Sequence, residues 1–209
     1  MTTVFTKDYL RKALSLALQS VNSQFDQLNA LDAATGDGDH GTAIVSTLQA
    51  AVKASEAEAS LKDMLSNIAM EIMSATGGST SSLYGSFFMG MSDGATSEAL
   101  DPAQTVAMFQ SGLTMMQTMT TAKVGDKTMM DAMLPATSAL TETLQSNSGA
   151  TLAELFGAAA KAAKEGAERT VDYIAKFGRA KNLGERSRGS QDAGATSLAL
   201  VFQAFADAL

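Results

Sequence analysis

Three aspartates lie close together in a glycine-rich segment, and their spacing is the clearest chemical signal in the sequence. Asp32, Asp37 and Asp39 fall within eight residues, and the glycines between them permit tight turns that aim several oxygens inward. Carboxylates this close repel one another unless a cation neutralises them, and oxygen ligands suit Mg²⁺ or Ca²⁺ better than zinc. The order does not match an EF-hand, and the ligands are too few for a closed Ca²⁺ cage. We therefore predict a magnesium site; the alternative is a solvated turn in which Asp39 caps the next helix.

The one histidine of the chain, His40, follows directly after this loop. It either contacts a phosphate or substrate oxygen beside the metal, or it is a partly buried loop residue bonded to a neighbouring backbone group. A single His and the absence of Cys exclude poly-histidine metal sites, thiolate zinc sites, iron–sulfur clusters, disulfides and a Cys nucleophile within one chain.

A second segment whose residues could bind a ligand is rich in glycine and hydroxyl groups. Residues 77–82 read Gly-Gly-Ser-Thr-Ser-Ser and precede a predicted helix. Free backbone N–H groups at a helix start, together with hydroxyl donors, form an anion site. The segment is not a Walker A motif, because no Gly-Lys-Ser/Thr follows, and an ordinary flexible N-cap turn is the alternative interpretation.

A third segment, residues 176–189, is strongly basic. It holds five of the fifteen cations of the chain and a single carboxylate, Glu185. An arginine in such a loop can bind phosphate oxygens in a bidentate manner, although a charged run is commonly a solvated face. An acidic metal loop, a hydroxyl loop and a basic loop in one chain together predict a site for a metal–polyphosphate complex.

The elements that must position these loops are helices. The chain has only two Pro and no clean period-two alternation, and apolar residues recur at steps of three and four. Asp101 before Pro102, and Thr151 with Glu154, are typical helix starts. We predict helices near 6–30, 41–56, 60–75, 79–92, 102–121, 127–146, 151–177 and 192–207. The fold expected is a single all-α domain over 1–209, an antiparallel up-and-down eight-helix bundle or barrel, in which alternate loops bring the three segments and Gly125–Thr128 to one end.

Charge and hydropathy limit the partners and the location. The formal net charge is −7, which argues against nucleic acid and anionic membranes as partners. No apolar run reaches the roughly 18 residues that a membrane span needs, and no targeting signal is visible, so the cytoplasm is expected. Twelve of the thirteen Met lie between Met64 and Met133. They are interpreted as core filling, with a malleable apolar cavity beside Leu134 as the alternative.

Four motifs, in this order, carry a family resemblance. They are Leu31-Asp32…Gly36-Asp37-Gly38-Asp39-His40-Gly41; Gly77-Gly78 through Leu83-Tyr84-Gly85; Gly125-Asp126-Lys127-Thr128-Met129; and Gly178-Arg179-Ala180…Leu183-Gly184-Glu185-Arg186-Ser187…Asp192-Ala193-Gly194-Ala195. They resemble the nucleotide-binding L subunit of dihydroxyacetone kinase, the DhaL family, over essentially the whole chain. The sequence departs from that pattern at Ser81-Ser82, Lys181-Asn182, Arg188, Ser190 and Ala193.

The resemblance implies a fold and a set of site residues. It implies an eight-helix barrel with ADP or ATP at one end, held through two Mg²⁺ ions by Asp32, Asp37 and Asp39. It implies nucleotide contacts at His40, Gly41, Thr42, Ala43, Ser79, Thr80, Gly125, Leu134, Arg179, Asp192, Ala193 and Gly194. We assign Arg179 the catalytic role of stabilising the transferring phosphate.

The resemblance also implies a function and partners. The phosphoryl group would pass from the magnesium-bound nucleotide to dihydroxyacetone held on a separate K subunit, and a phosphocarrier of the phosphotransferase system would recharge the nucleotide. An ATP-dependent kinase subunit for another short ketose or sugar, and a nucleotide-sensing module acting on a transcription regulator, are alternatives. A helical barrel for a lipid or partner with a vestigial site is a further alternative, and a homodimer stays open.

Overall fold

A computed structural model describes residues 4–75 and 78–209 of the chain. The described residues form nine α-helices, a two-stranded ribbon and two 3₁₀ segments. The strands are β1 (Phe5–Thr6) and β2 (Ala99–Leu100). The helices are α1 (Lys7–Ser23), α2 (Phe25–Ala33), α3 (His40–Ser55), α4 (Leu61–Ala75), α5 (Ser79–Gly94), α6 (Pro102–Met119), α7 (Met130–Ser146), α8 (Leu152–Arg169) and α9 (Ala193–Asp207). The 3₁₀ segments are Thr170–Asp172 and Arg179–Ser187.

The helices form a closed ring of antiparallel neighbours. Each of α3 to α8 packs on the next helix in the chain, and α1 closes the ring by packing on both α3 and α9. Helix α2 extends α1 and lies against α3 and α9. The predicted all-α up-and-down barrel is therefore confirmed. Loops α2–α3, α4–α5, α6–α7 and α8–α9 lie at one end, which we call the loop rim. Residues 76 and 77, and with them the predicted start of the hydroxyl segment at Gly77, lie outside the described residues.

Three predicted helix boundaries are wrong. The first predicted helix is broken at Gln24, whose φ of −113° and ψ of 17° separate α1 from α2. The helix predicted to run to residue 177 ends at Arg169, because the Thr170 side chain bonds the Ala167 carbonyl and a 3₁₀ turn follows. Helix α7 begins at Met130 rather than 127, since Lys127 has a φ of +59°, outside the helical region. The ribbon in which Phe5 pairs with Leu100 was not predicted.

The inside of the ring is filled by aromatic and aliphatic side chains. The buried ring of Phe109 contacts the rings of Phe5, Phe87, Phe156 and Phe205, with centroid separations between 5.3 and 6.2 Å. Seven methionines are also buried: Met64, Met91, Met108, Met116, Met129, Met130 and Met133. The interpretation of methionines as core filling holds for these, whereas Met70, Met73 and Met119 are exposed.

The end of the ring opposite the loop rim is held by local hydrogen bonds. Both predicted helix starts are capping boxes: Asp101 with Gln104 at α6, and Thr151 with Glu154 at α8. Lys7 Nζ donates to the Ala59 carbonyl at 2.6 Å and closes the α3–α4 connection onto α1. Capping residues and local hydrogen bonds therefore stabilise this end. The loops with the predicted site residues lie at the other end.

Candidate functional site

The aspartate loop joins α2 to α3 at the loop rim. One carboxylate oxygen from each of Asp32, Asp37 and Asp39 lies within 4.8 Å of the other two. Asp32 is half-buried at the end of α2, and the other two are exposed. Asp39 precedes α3, but its side chain makes no cap hydrogen bond; only its backbone carbonyl accepts from Ala43 N. The alternative in which the Asp39 side chain caps the helix is therefore wrong, and all three carboxylates face one small volume.

The shape of this loop depends on Asp32 and on two glycines. Asp32 Oδ2 accepts hydrogen bonds from the backbone N–H groups of Gly38 at 2.8 Å and Asp39 at 3.0 Å. Gly38 has a φ of +79°, which an L side chain rarely adopts. A Cβ on Gly36 would lie only 2.6 Å from Asp32 Oδ1. The spacing Asp-x₃-Gly-Asp-Gly-Asp thus folds the loop around its own first carboxylate.

The donor set of this cluster fits a hard divalent cation. All three ligand groups are carboxylates, which Mg²⁺ prefers, and nitrogen or sulfur donors are missing from the cluster. Three negative charges at this separation need a compensating cation. Part of that compensation comes from Arg179, whose guanidinium pairs with Asp37. Mg²⁺ keeps open coordination positions for phosphate oxygens, so three carboxylates suffice for it.

Arg179 brings the basic segment to the aspartate loop. It begins the second 3₁₀ segment directly after Gly178, and 70% of its side chain is exposed. Two other cations of the segment pair away from the aspartate loop: Lys176 pairs with Asp126 of the α6–α7 loop, and Arg188 pairs with Glu185 of its own turn. The structure therefore joins Arg179 to the predicted metal site by a direct contact.

His40 is the first residue of α3 and is only 9% exposed. Its Nε2 lies 2.8 Å from Ser197 Oγ, and Ser197 in turn donates to the Gly194 carbonyl. Burial lowers the pKa of His40 below its usual value, although the charge of Asp32 opposes that shift. The ring is therefore neutral at pH 7 and ties α3 to α9, so a side-chain contact with phosphate, as predicted, finds no support in this arrangement.

Four of the described helices, α3, α5, α7 and α9, begin at the loop rim, and the first turns of α3, α5 and α9 contain most of the predicted nucleotide-binding residues. His40, Gly41, Thr42 and Ala43 open α3; Ser79 and Thr80 open α5; Ala193 and Gly194 open α9. Free N–H groups and the positive end of each helix dipole favour an anion there. One of these groups is already used, because Gly41 N donates to Asn29 Oδ1 at 2.7 Å. Ser79 is exposed, whereas Thr80 is buried.

Asp192 is the N-cap of α9, where its Oδ1 accepts from Ala195 N at 2.7 Å. Burial raises its pKa to about 7; the bond from Ala195 and the charge of Lys127 oppose the shift, and the charges of Asp131 and Asp32 add to it. Asp192 N also donates to Thr170 Oγ1 at 2.8 Å, so both the side chain and the backbone N–H of Asp192 are engaged within the protein. Its contact with a nucleotide stays a prediction.

The α6–α7 loop and the first turn of α7 contain buried charged residues that were not predicted as site residues. Asp126, Lys127 and Asp131 are between 1 and 3% exposed. Asp131 accepts from the N–H groups of Gly125 at 2.6 Å and Thr128 at 2.7 Å, and burial raises its pKa. The motif around Gly125 was the available signal, but charged residues in a loop do not by themselves predict burial.

Two further residues were predicted to contact the nucleotide, one in the α6–α7 loop and one on α7. Gly125 lies in the α6–α7 loop with a φ of +95°. Leu134 lies on α7, half-buried and packed against the core. A narrow apolar cavity inside the ring is lined by other residues, among them Tyr84, Phe88 and Phe202. The predicted cavity beside Leu134 is therefore not the one observed.

Within the described residues, no helix is long and apolar enough to cross a membrane.

Comparison with known proteins gives concordant matches. The model of the DAK2 domain family matches residues 34–207. The ADP-binding subunit DhaL of a PEP-dependent dihydroxyacetone kinase from Listeria innocua is 34% identical over 202 residues, which are 96% of each chain. The corresponding subunit from Escherichia coli is 32% identical and is covered to 89%. L-erythrulose kinase from Pectobacterium atrosepticum is 31% identical, and this chain spans a third of its length.

Solved structures of a dihydroxyacetone kinase are also similar to this chain. The dihydroxyacetone kinase of C. freundii superposes with a TM-score of 0.71 at 28% identity, over 96% of this chain and 34% of that chain. The same enzyme in complex with AMP-PNP and Mg²⁺ gives a TM-score of 0.70.

Proposed function

This chain belongs to the DAK2 domain family, and from that premise we propose that it is the nucleotide-binding subunit of a dihydroxyacetone kinase. It transfers a phosphoryl group from magnesium-bound nucleotide to dihydroxyacetone held on a separate K-type subunit. The observation that carries the proposal is the aspartate cluster with the Arg179 guanidinium at its edge. Carboxylates for a metal and a guanidinium for phosphate, side by side, are the parts that phosphoryl transfer requires.

Asp32, Asp37 and Asp39 would hold two Mg²⁺ ions. When bound, Mg²⁺ neutralises the phosphate charge and orients the γ-phosphoryl group. The N-terminal N–H groups of α3, α5 and α9 bind the remaining phosphate oxygens, since the helix dipoles add positive potential at the loop rim. The two hydrogen bonds to Asp32 Oδ2 keep that carboxylate and the backbone of the loop in place, so little reorganisation of the loop accompanies binding.

Arg179 stabilises the charge on the transferring phosphate. Its guanidinium offers five donors in a planar fork, and its high exposure leaves those donors accessible from outside the ring. Its pairing with Asp37 keeps it beside the metal ligands before any ligand binds. Phosphoryl transfer requires mainly positioning and electrostatic stabilisation, and the aspartate cluster and Arg179 can provide both.

The ketose is held by a partner. The resemblance implies that the ketose is bound covalently through a histidine of the K subunit, and the one histidine of this chain, His40, is buried and bonded to Ser197. A K-type subunit therefore supplies the sugar site. The relatives from Listeria innocua and Lactococcus lactis are named as PEP-dependent and PTS-dependent ADP-binding subunits, which supports a phosphocarrier as the donor that recharges bound ADP.

A second candidate keeps the same nucleotide site with another short ketose. The relatives named as L-erythrulose kinase and D-erythrulose kinase are 31% and 35% identical to this chain. Sugar recognition lies on the partner, so the two candidates separate when the chain is combined with a K-type subunit and offered dihydroxyacetone or erythrulose.

We also propose that residues 1–209 form one domain, because α9 closes the ring on α1, and that the protein acts in the cytoplasm. Action on a transcription regulator and assembly as a homodimer stay predictions.

The test of the proposed function is the content of the purified protein. Purified without added nucleotide and then extracted, it should release ADP together with about two Mg²⁺ ions per chain. If it releases neither, and if ADP and ATP cause no magnesium-dependent rise in melting temperature, the kinase function is wrong.

A further inference from the structure

The segment that carries Arg179 is a long connection whose two ends meet. Residues 171–189, here called the arm, run between α8 and α9, and Gly189 N donates to the Val171 carbonyl at 2.9 Å. At Gly178, Gly184 and Gly189 the φ angle is positive, and an added Cβ would meet nothing within 4 Å. The arm therefore has open space beside these three glycines, whereas Ala175 and Ser187 are buried and Ser187 Oγ accepts from Ala175 N at 2.9 Å within the arm. The position of the arm as a unit depends on how its base is held.

The base of the arm is held by Lys127. This residue is only 3% exposed, and its Nζ donates to the carbonyls of Thr170 and Ser190, each at 2.5 Å. These two acceptors flank the arm, one just before it and one just after it. A single buried ammonium therefore connects both ends of the arm to the α6–α7 loop.

The charge of Lys127 is compensated, but its burial has a cost. Burial lowers its pKa, and the charges of Asp192, Asp131 and Asp172 oppose that shift. Its φ of +59° is also unfavourable for a residue with a side chain. A buried, strained cation whose hydrogen bonds go to backbone carbonyls is uncommon, and such strain persists where the surrounding structure enforces it.

The turn around Lys127 is itself fixed from both sides. Asp131 holds the N–H groups of Gly125 and Thr128, which flank Lys127 in the sequence. Asp126 makes a second attachment to the arm, since its Oδ1 accepts from Lys176 Nζ at 2.7 Å and its carbonyl accepts from Lys176 N.

We infer that Lys127 is a positioning residue for Arg179: by tying both ends of the arm to the α6–α7 loop, it places the guanidinium at the aspartate cluster. This inference rests on the proposed function. Arg179 contributes little packing of its own, because most of its side chain is exposed. Its location opposite Asp37 is therefore set by the arm. Lys127 is the attachment that holds both ends of the arm, and Lys176 supplies the second attachment.

The experiment compares Lys127→Met, Arg179→Gln and the double variant in the full-length chain. Lys127→Met should lower kcat for phosphoryl transfer by roughly 10- to 100-fold, since small displacements of a catalytic group are that costly. If Lys127 acts through Arg179, adding Lys127→Met to Arg179→Gln should lower kcat by less than about twofold further. A full additional loss in the double variant would show that Lys127 acts independently of Arg179 and would overturn the inference.

A second readout does not need activity. Amide hydrogen exchange over residues 171–189 should rise in Lys127→Met, while exchange over α1 and α4 stays unchanged. Unchanged exchange of the arm would also overturn the inference. Lys161→Met is the matched control, because Lys161 is an exposed lysine of α8; it should alter neither readout.

A third variant covers the case in which Lys127→Met does not fold. Lys176→Met removes the side-chain bond of the second attachment at a half-exposed residue and leaves the backbone bond to Asp126 in place. It should raise exchange of the arm and lower kcat, each by a smaller factor than Lys127→Met. No rise in exchange would contradict the inference. Failure of the proposed function would be recognised separately, as absence of magnesium-dependent nucleotide binding by the unmodified chain, and the exchange measurement would still decide the role of Lys127.

Discussion

The guanidinium of Arg179 pairs with the carboxylate of Asp37, so a cation from the connection between α8 and α9 lies at the edge of the aspartate cluster. Both side chains are substantially exposed, at 70% and 44%, and ion pairs of this kind contribute at most about 1 kcal/mol. An incoming divalent cation can therefore take over Asp37 at little cost. The guanidinium is then left beside the metal ligands, where phosphate oxygens arrive.

Removing the guanidinium should separate chemistry from binding. In Arg179→Gln we expect kcat for phosphoryl transfer to fall roughly 10²- to 10³-fold, because stabilisation of the developing phosphate charge is lost. Retention of ADP and Mg²⁺ should change much less, since the aspartates remain. Coupled-assay kinetics and extraction of bound nucleotide measure the two effects; equal losses in both would contradict the role given to Arg179.

Neutralising one carboxylate should remove the metal. In Asp37→Asn we expect bound ADP to be lost and magnesium affinity to fall by at least about tenfold, while the helical circular dichroism signal persists. Asp26→Asn is the matched control, because Asp26 is an exposed carboxylate in the first turn of α2, outside the aspartate cluster. If the Asp37 variant still retains nucleotide, the ligand assignment is wrong.

A methyl group at Gly36 should distort the loop without changing its charge. The added Cβ would lie 2.6 Å from Asp32 Oδ1, so Gly36→Ala is expected to weaken magnesium binding roughly 10-fold. At Gly157, on the exposed face of α8, the same change meets nothing within 4 Å and should stabilise the protein by about 0.5–1 kcal/mol. Isothermal titration calorimetry measures the magnesium affinity, and urea unfolding measures the stability. Normal magnesium affinity in the Gly36 variant would contradict the close contact between residue 36 and Asp32.

The stability of the metal-free protein should carry a signature of Asp192. Its pKa is about 7 when folded, against about 3.9 in an unfolded chain, so between those values the folded state binds a proton that the unfolded state has released. This contribution to the free energy of unfolding therefore falls as pH rises through that window, by up to about 1.4 kcal/mol per pH unit. It is lost above pH 7.

Asp192→Asn removes this titration. We measure the free energy of unfolding of both proteins in urea without magnesium. As pH rises from about 5 to about 8, that of the original chain should fall relative to that of the variant. A difference that stays constant, or that moves in the opposite direction, would show that Asp192 is already ionised when buried.

The aspartate cluster could be predicted because its information is local. Asp32, Asp37 and Asp39 are close in sequence, and the glycines between them permit the turn that brings their oxygens within 4.8 Å. The ring of helices could be predicted for a similar reason, since apolar spacing and capping residues define most helices one at a time. The break at Gln24 carries no such signal, because no Gly or Pro marks it.

Roles decided by burial could not be predicted. His40 and Lys127 both belong to motifs that carry the family resemblance. The sequence left open whether His40 contacts a phosphate or bonds within the protein, and it predicted no role for Lys127. In the folded chain one bonds Ser197 and the other bonds backbone carbonyls of the α8–α9 connection. Which polar side chain faces outward depends on packing between helices distant in sequence, and spacing along the chain does not record that.

The functional groups of the proposed site all lie at one end of the helix ring. In the proposed function, a phosphorylated carrier and a ketose-loaded subunit both reach the nucleotide from that end, so we expect them to bind alternately. Steady-state rates would then follow a ping-pong pattern, and an excess of either protein would inhibit turnover by excluding the other. The location of the site at one end of the ring thus makes the two proposed partners competitors for the nucleotide that they share.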